Sequence, residues 1–369
     1  MSVVYKKLED VCEILDSRRV PITAKDRKAG TYPYYGANGL QDYVADYIFD
    51  DELVLLAEDG GNFGSKERPI AYRVSGKCWV NNHAHVLKAK PNMHVDYLCY
   101  ALMFYDTEGL VNGATRQKLT QAAMRQMVIP YRDMTEQLQI IKKISQIVRS
   151  IEKRKEELQL LDQLVKSRFI ELFGDPVINP KGFPCYTVGE VIDFQGGSQP
   201  DKKYFEYEAS PDNIRLIQIR DYKSDKYITY IPKTMAKRFC TADDIMIGRY
   251  GPPIFQILKG IEGSFNVALM KATPKMGNRE FVRQFLKQDC LLEYLEGLSK
   301  RTAGQDGIQM DKLKAYPFPY PPMELQEQFA TFVEQTDKSK YYSSLSFRNC
   351  QAAANTYRQE WMTCRTSDF

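Results

Sequence analysis

The chain has 369 residues, 43% of them apolar and 27% charged, with 51 basic residues against 47 acidic ones and a formal net charge of +4. That length exceeds one comfortable core and predicts two or three folding units, and the composition excludes a collagen-like or wholly disordered chain. No apolar stretch reaches the ~20 residues of a membrane helix, and the opening MSVVYKKLEDV meets charge at once where a signal peptide would build an apolar core. A cytoplasmic protein with no membrane role is expected, and any basic face must be local.

Residues 1–133 mix short apolar runs with turn signals and predict a small α+β body. ELVLLAEDGG (52–61) predicts a buried strand running into a glycine turn. His83 and His85 form an HxH pair that could share one strand face and begin a metal site. Only His94 lies near them and nothing completes a ligand set, so packing or hydrogen bonding is expected. DYLCYALMFY (96–105) predicts a helix, and GATRQKLTQAAMRQMVIPYRDM (113–134) opens as a loop carrying Arg116, Gln117 and Lys118.

Residues 134–176 form a different kind of segment. From Glu136 to Phe173 there is neither Pro nor Gly, and apolar residues recur at alternating spacings of three and four. The stripe is Ile141, Ile144, Val148, Ile151, Lys155, Leu158, Asp162, Val165, Phe169 and Leu172, a heptad seam that needs a partner helix. Such a helix would span roughly 57 Å at ~1.5 Å per residue. Gly174-Asp175-Pro176 stops it, and PVINPKGFP leads into the second half.

Residues 177–323 predict a second α+β body, with strands in RLIQIRDY (215–222), KYITYIP (226–232) and DIMIGRYGPP (244–253) and a helix in REFVRQFLKQ (279–288). Residues 324–369 then give a second long helix without Pro or Gly to about Thr363. Its seam is Phe329, Val333, Thr336, Lys340, Ser343, Phe347, Cys350, Ala354, Tyr357 and Trp361. Two seams, one per half, pack most economically as an antiparallel pair.

The halves repeat. At a constant offset of 189 residues, Ala114 meets Ala303, Leu119 meets Ile308, Met124 meets Leu313, and Ile129-Pro130-Tyr131 meets Phe318-Pro319-Tyr320. Met134 falls on Met323, after which a two-residue insertion brings Glu136-Gln137 onto Glu327-Gln328. Weaker echoes precede these: LEDVCEI (8–14) with VGEVIDF (188–194), HVLKAKP (85–91) with ALMKATP (268–274), and DYLCYALM (96–103) with EFVRQFLK (280–287).

Motifs for catalysis are missing. GGNFGSKE (60–67) has the wrong spacing for a phosphate-binding loop, and there is no nucleophile elbow, HExxH helix or dinucleotide fingerprint. An adenine methyltransferase would need an Asn/Asp-Pro-Pro-aromatic element, which GPPI (251–254) and YPPM (320–323) do not supply. The eight cysteines never form a CxxC pair, so neither structural zinc nor a disulfide framework is expected. Binding chemistry is better represented. Arg116, Gln117 and Lys118 in the first half and Lys300, Arg301 and Gln305 in the second occupy the duplicated loop, and Arg249 and Tyr250 follow a strand. Further basic pairs are Arg18-Arg19, Lys202-Lys203 and Lys237-Arg238. Arginine forks onto guanine and amides pair with adenine, while cations at loop tips hold phosphates.

A body, a G-[AST]-x-[RQ]-x-x-[LI] loop, an apolar-Pro segment and a long helix, all duplicated, together with KSRFIELFGDPVINPKGFP (166–184), resemble the specificity (S) subunit of type I restriction–modification systems. The resemblance implies two tandem target recognition domains, joined and followed by long helices that pair as an antiparallel coiled coil. It implies a non-enzymatic subunit that reads a bipartite double-stranded DNA target and docks two modification subunits alongside motor–nuclease restriction subunits. It implies no cofactor in this chain, with S-adenosylmethionine, ATP and Mg on the partner subunits. The seam residues Ile141, Ile144, Val148, Ile151, Leu158, Val165, Phe169, Phe329, Val333 and Phe347 would serve the helix pair and its partners. One departure stands out: symmetry calls for a closure like Phe169…Phe173-Gly174 at the end of the second helix, and the chain reads NTYRQEWMTCRTSDF. The competing classes are a protein–protein scaffold with no nucleic-acid role and a self-sufficient DNA modification enzyme.

Overall fold

A computed structural model describes residues 4–66, 68–113, 116–250, 254–299 and 307–363. The chain divides into two compact units, Met1–Lys155 with Leu345–Phe369, and Glu156–Ser344, so each division falls inside a long helix. Among the described residues no helix is long and apolar enough to cross a membrane.

In the first unit a six-stranded sheet runs in the order Cys12–Ile14, Ala84–Ala89, Phe49–Ala57, Ala71–Val80, Ala29–Gly36 and Gly39–Val44. Its pairs are antiparallel except for the parallel contact of Ala29–Gly36 with Ala71–Val80. The apolar run at 53–57 makes a central strand buried on both faces. Val54 and Leu56 face one cluster with Tyr97, Leu98, Met124 and Ile129, while Phe49, Leu53 and Leu55 face another with Val74, Val80 and Val86. That is the period-two alternation of a strand with both sides covered.

The second unit repeats the plan. Strand Val4–Lys7 pairs with Val128–Tyr131 in the first unit, and Cys185–Thr187 pairs with Pro317–Pro319 in the second. The following strands, Ile192–Gly196, Leu269–Pro274, Ile245–Gly248 and Gln256–Lys259, match four neighbours of the first sheet in order. What differs is the remainder: a separate sheet runs in the order Tyr230–Pro232, Asn213–Ile217, Gly263–Phe265 and Phe239–Cys240. The strand expected over 215–222 stops at Ile217. Asp221 Oδ2 accepts the Gln218 N–H at 3.0 Å and turns the chain into the short helix Ile219–Tyr222.

Hydrogen bonds fix the register of the duplication. Leu8 N donates to Met127 O at 2.8 Å, and Val188 N to Tyr316 O at 2.9 Å. Lys90 N reaches Val11 O at 3.0 Å, and Lys275 N reaches Val191 O at 2.8 Å. Lys90 therefore corresponds to Lys275, so the sequence pairing of 85–91 with 268–274 is two residues out of step. The expected insertion after Met134 is also absent. Gln137 accepts from His94 N (2.7 Å) and donates to Arg132 O (2.8 Å), while Gln326 accepts from Asn278 N (2.8 Å) and donates to Pro321 O (2.7 Å). Both amides are fully buried. Gln137 thus answers Gln326, not Gln328, and the offset of 189 runs on into the helices. The exposed Glu327-Gln328 mimics the half-buried Glu136 and buried Gln137 in sequence alone.

The helices are Met134–Phe173 and Met323–Thr363. In the second unit Val165, Phe169 and Phe173 share a core with Phe329 and Val333. Phe169 and Phe173 meet Phe329 edge-on at 5.5 and 5.3 Å, Arg168 lies 5.8 Å over Phe332, and Lys340 pairs with Asp162 at 2.8 Å. The partners fall as the first helix rises, so these segments are antiparallel. In the first unit Ile141, Ile144 and Tyr357 pack on one core, and Lys143 sits 5.4 Å over the Tyr357 ring. Val148, Ile151, Leu158 and Phe347 are half-buried along the same stripes. Lys155 and Asp162 do not belong to the seam: both are exposed, and Arg154 and Leu161 take the inward positions.

The buried amides give a test of the register. Gln326→Ala leaves Asn278 N and Pro321 O without their partner, which costs about 1–3 kcal/mol, whereas the exposed Gln328→Ala stays within about 0.5 kcal/mol. Urea unfolding of the two variants beside the parent measures the difference.

Candidate nucleic-acid interface

The duplicated loop is laid against the end of a central strand. In the first unit Phe49–Ala57 runs on into Glu58-Asp59-Gly60. Leu119 N donates to Glu58 O at 2.8 Å and Gly60 N to Gln117 O at 3.2 Å, and Asp59 bridges Lys118. The loop returns through strands Val111–Asn112 and Lys118–Leu119. Gly113 has φ +101°, and a Cβ there would sit 2.4 Å from Arg116 O, so the turn needs glycine.

This places two of the sequence-selected cations together. Arg116 Nε pairs with Asp59 Oδ1 at 2.6 Å, and Lys118 Nζ with Glu58 Oε1 at 3.2 Å. Their side chains are 63% and 52% exposed. Exposed pairs of this kind are worth ~0–1 kcal/mol, so a phosphate or a base edge can take over either cation at little cost. Gln117 is exposed beside them.

Beneath the loop lies a polar network in which His85 takes the hydrogen-bonding role expected of it, with partners that sequence reading missed. His85 is buried, with Nδ1 2.6 Å from Asp16 Oδ2 and Nε2 2.9 Å from Leu119 O. Gln121 Nε2 donates to Asp16 Oδ2 at 3.1 Å, and Val86 N to Asp16 Oδ1 at 2.9 Å. Arg19 reaches Glu58 at 2.6 Å, Ala84 O at 2.8 Å and Asp16 at 3.4 Å. Asp16, Glu58 and His85 present ligand atoms within 4.8 Å of one another, but the Arg19 guanidinium already pairs with both carboxylates. The groups serve to fasten the loop to the sheet. His83 lies in the preceding turn, 3.4 Å from Asp59, so the HxH pair does not act as one strand face.

In the second unit Arg249 and Tyr250 follow strand Ile245–Gly248. Arg249 N donates to Ala268 O at 2.9 Å, and its guanidinium lies 5.3 Å over the half-exposed Tyr250 ring. Tyr250 bridges Gly307 just as Asp59 bridges Lys118. The sheet register therefore puts Arg249-Tyr250 where the first unit has Glu58-Asp59. Lys300, Arg301 and Gln305 lie outside the described residues. Of the other basic pairs, Arg19 is held in the buried network, Arg18 lies 4.9 Å over Phe49, and Lys202, Lys203, Lys237 and Arg238 are exposed.

Two α+β modules, each with a segment bridged to one strand end and each adjoining a long helix, make a duplicated scaffold. The family model for the type I restriction modification DNA specificity domain matches residues 2–161 and again 180–341. The chain belongs to this family, that of type I restriction–modification specificity subunits. A Haemophilus influenzae protein assigned as a type I restriction enzyme specificity subunit is 37% identical over 140 residues, 38% of this chain and 36% of that protein. The chain thus matches little more than a third of that relative's length. The type I restriction enzyme MjaVIII specificity subunit of Methanocaldococcus jannaschii is 22% identical over 90% of this chain and 85% of its own length. The crystal structure of a type I restriction–modification S subunit from M. genitalium shares the fold, with a TM-score of 0.58 at 15% identity over 98% of this chain and 96% of that one. A chain from a structure concerned with complex assembly and conformational transition of the type I R-M system gives a TM-score of 0.52 at 15% identity, covering 98% and 97% of the two chains.

The network under the first loop predicts an acid sensitivity. Burial alone would raise the Asp16 pKa, but the His85 hydrogen bond and charge, the Val86 N–H and Arg19 outweigh it and hold the carboxyl below its ordinary value. A depressed carboxyl contributes stability that is full above the unfolded value near ~4 and lost as pH falls through the lower folded value. Asp16→Asn is therefore expected to lower the melting temperature at pH 7 and to flatten its decline in acid. Thermal melts from pH 7 down to pH 3 check both.

Proposed function

We propose that the chain is the DNA-recognition subunit of a type I restriction–modification complex, each unit reading one half of a bipartite double-stranded target. The observation that carries this reading is a strand end bridged to the duplicated segment in both units, with the cations Arg116 and Lys118 on the loop of one and Arg249 at the strand end of the other. Arg116, Gln117 and Lys118 serve one half-site; Arg249 and Tyr250, with Lys300, Arg301 and Gln305 of the second loop, serve the other. The paired helices set the unread spacer and dock two modification subunits. In this reading the chain holds no cofactor. S-adenosylmethionine belongs to the modification subunits, and ATP and Mg to the motor–nuclease subunits.

Two measurements test this. Neutralising Z phosphates gives a log–log dependence of affinity on salt with slope about −0.9Z, so duplex binding by the full chain falls steeply with salt, whereas a scaffold for proteins alone shows no duplex binding. Maps of modified sites, made with the modification subunits present, place the effect of Arg116→Ala in one half-site and that of Arg249→Ala in the other. The purified chain alone transfers no methyl group. An Arg116→Ala variant that changed both half-sites, or methyl transfer by the isolated chain, would contradict the proposal.

A further inference from the structure

Beside Arg116 the first unit gathers two carboxamides from turns far apart in sequence. The hairpin of Ala29–Gly36 and Gly39–Val44 turns through Ala37-Asn38, with Gly36 paired to Gly39. Asn38 Nδ2 donates to Gly60 O at 3.0 Å, joining the hairpin tip to the strand end that carries Asp59. Asn62 Nδ2 donates in turn to Asn38 Oδ1 at 3.1 Å. The Asn62 turn is fixed from below and within: Phe63 packs on the core, Ser65 N donates to Asn62 O at 3.1 Å, and a Cβ on Gly61 would lie 2.4 Å from the Ala57 Cβ.

The relay has a direction. Because Asn38 Oδ1 accepts and its Nδ2 is committed to Gly60 O, Asn62 must turn its nitrogen inward. Its Oδ1 and second N–H then form an adjacent acceptor and donor on one plane. In the major groove that pair matches the N6 donor and N7 acceptor of adenine. Arg116 is held through Nε by Asp59, which leaves its terminal nitrogens on a mostly exposed group with the fork that guanine O6 and N7 accept. The three turns thus bring an amide and a guanidinium, each oriented by a fixed neighbour, to one surface.

We propose that Asn62 reads an adenine in the half-site of the first unit, and that Asn38 is the positioning residue that orients it. The inference rests on the DNA-recognition reading above but names a residue and a base that this reading leaves open.

The test is selection from a randomised duplex library by the full chain with its modification subunits, comparing the parent with Asn62→Ala, Asn62→Asp and Asn38→Ala. Asn62→Ala is expected to lower the preference for adenine at one position by roughly 5- to 100-fold and to leave the other half-site unchanged. Asn62→Asp keeps the size but loses the inward donor to Asn38 as well as the outward one and can only accept, so preference for adenine falls and shifts towards cytosine, whose N4 donates; a role in folding alone gives no such shift. Asn38→Ala weakens the same position and no other. If the Asn62 variants keep the parental base preference, or lose affinity equally for all sequences, the inference is wrong while the recognition reading stands. A parent that enriches no sequence at all overturns both.

Discussion

A buried neutral carboxamide holds each recognition module to its helix, and the rest of the architecture depends on that clasp. Gln137 and Gln326 each take an N–H from the residue before a short helix and give one to a carbonyl at the start of the long helix. Neither amide sees water, so the backbone groups it serves have no substitute partner, and the alternative to this geometry is an unsatisfied buried dipole. An ionised side chain at either place would add a desolvation penalty. The clasp therefore joins equivalent points of module and helix in both halves.

What the two halves share and where they part follows from this. The strand pairs that begin and end each module, the Lys90 and Lys275 contacts and the amide clasp are the same in both. The strand ends differ in charge: Glu58-Asp59 in one unit, Arg249-Tyr250 in the other. The first unit extends its sheet with the hairpin at 29–44, while the second builds a separate four-stranded sheet. The mounting is fixed by backbone bonds and by one buried glutamine in each half, and the loop surface is free to vary. In the proposed reading, that suits one scaffold to two unlike half-sites.

The sequence disclosed the mounting better than the surface. The stripe from Phe329 to Tyr357 was legible to the residue, Thr336 and Ser343 included, because helical periodicity survives small polar substitutions at inward positions; Thr336 satisfies its hydroxyl on Phe332 O at 2.9 Å. In the first helix the rule failed locally. A strict heptad selected Lys155 and Asp162, whereas the helix turns Arg154 and Leu161 inward, since 3.6 residues per turn drifts against a 3.5 repeat. The clasp was misread because the polar residue that matters is buried, and polarity gives no signal of burial. Of the Asp16–His85–Glu58–Arg19 network only the hydrogen-bonding role of His85 was legible, and of the Asn38–Asn62 relay nothing. Apart from Asp16 and Arg19, their members lie tens of residues apart and meet only once the strands pair.

In the proposed reading each module is fixed on its helix, and the helices set the distance between half-sites. Four residues inserted after Lys155, with four more after Ser344 to keep the pair in step, add about 6 Å at ~1.5 Å rise per residue, slightly under two base pairs at ~3.4 Å each. The insertion is slightly more than one helical turn, so the seams rotate only modestly. The decisive measurement is a modified-site map of this variant and its parent, with partner subunits present. The account predicts unchanged half-site sequences separated by a spacer one or two base pairs longer. An unaltered spacer in a variant that folds and supports methylation would contradict it.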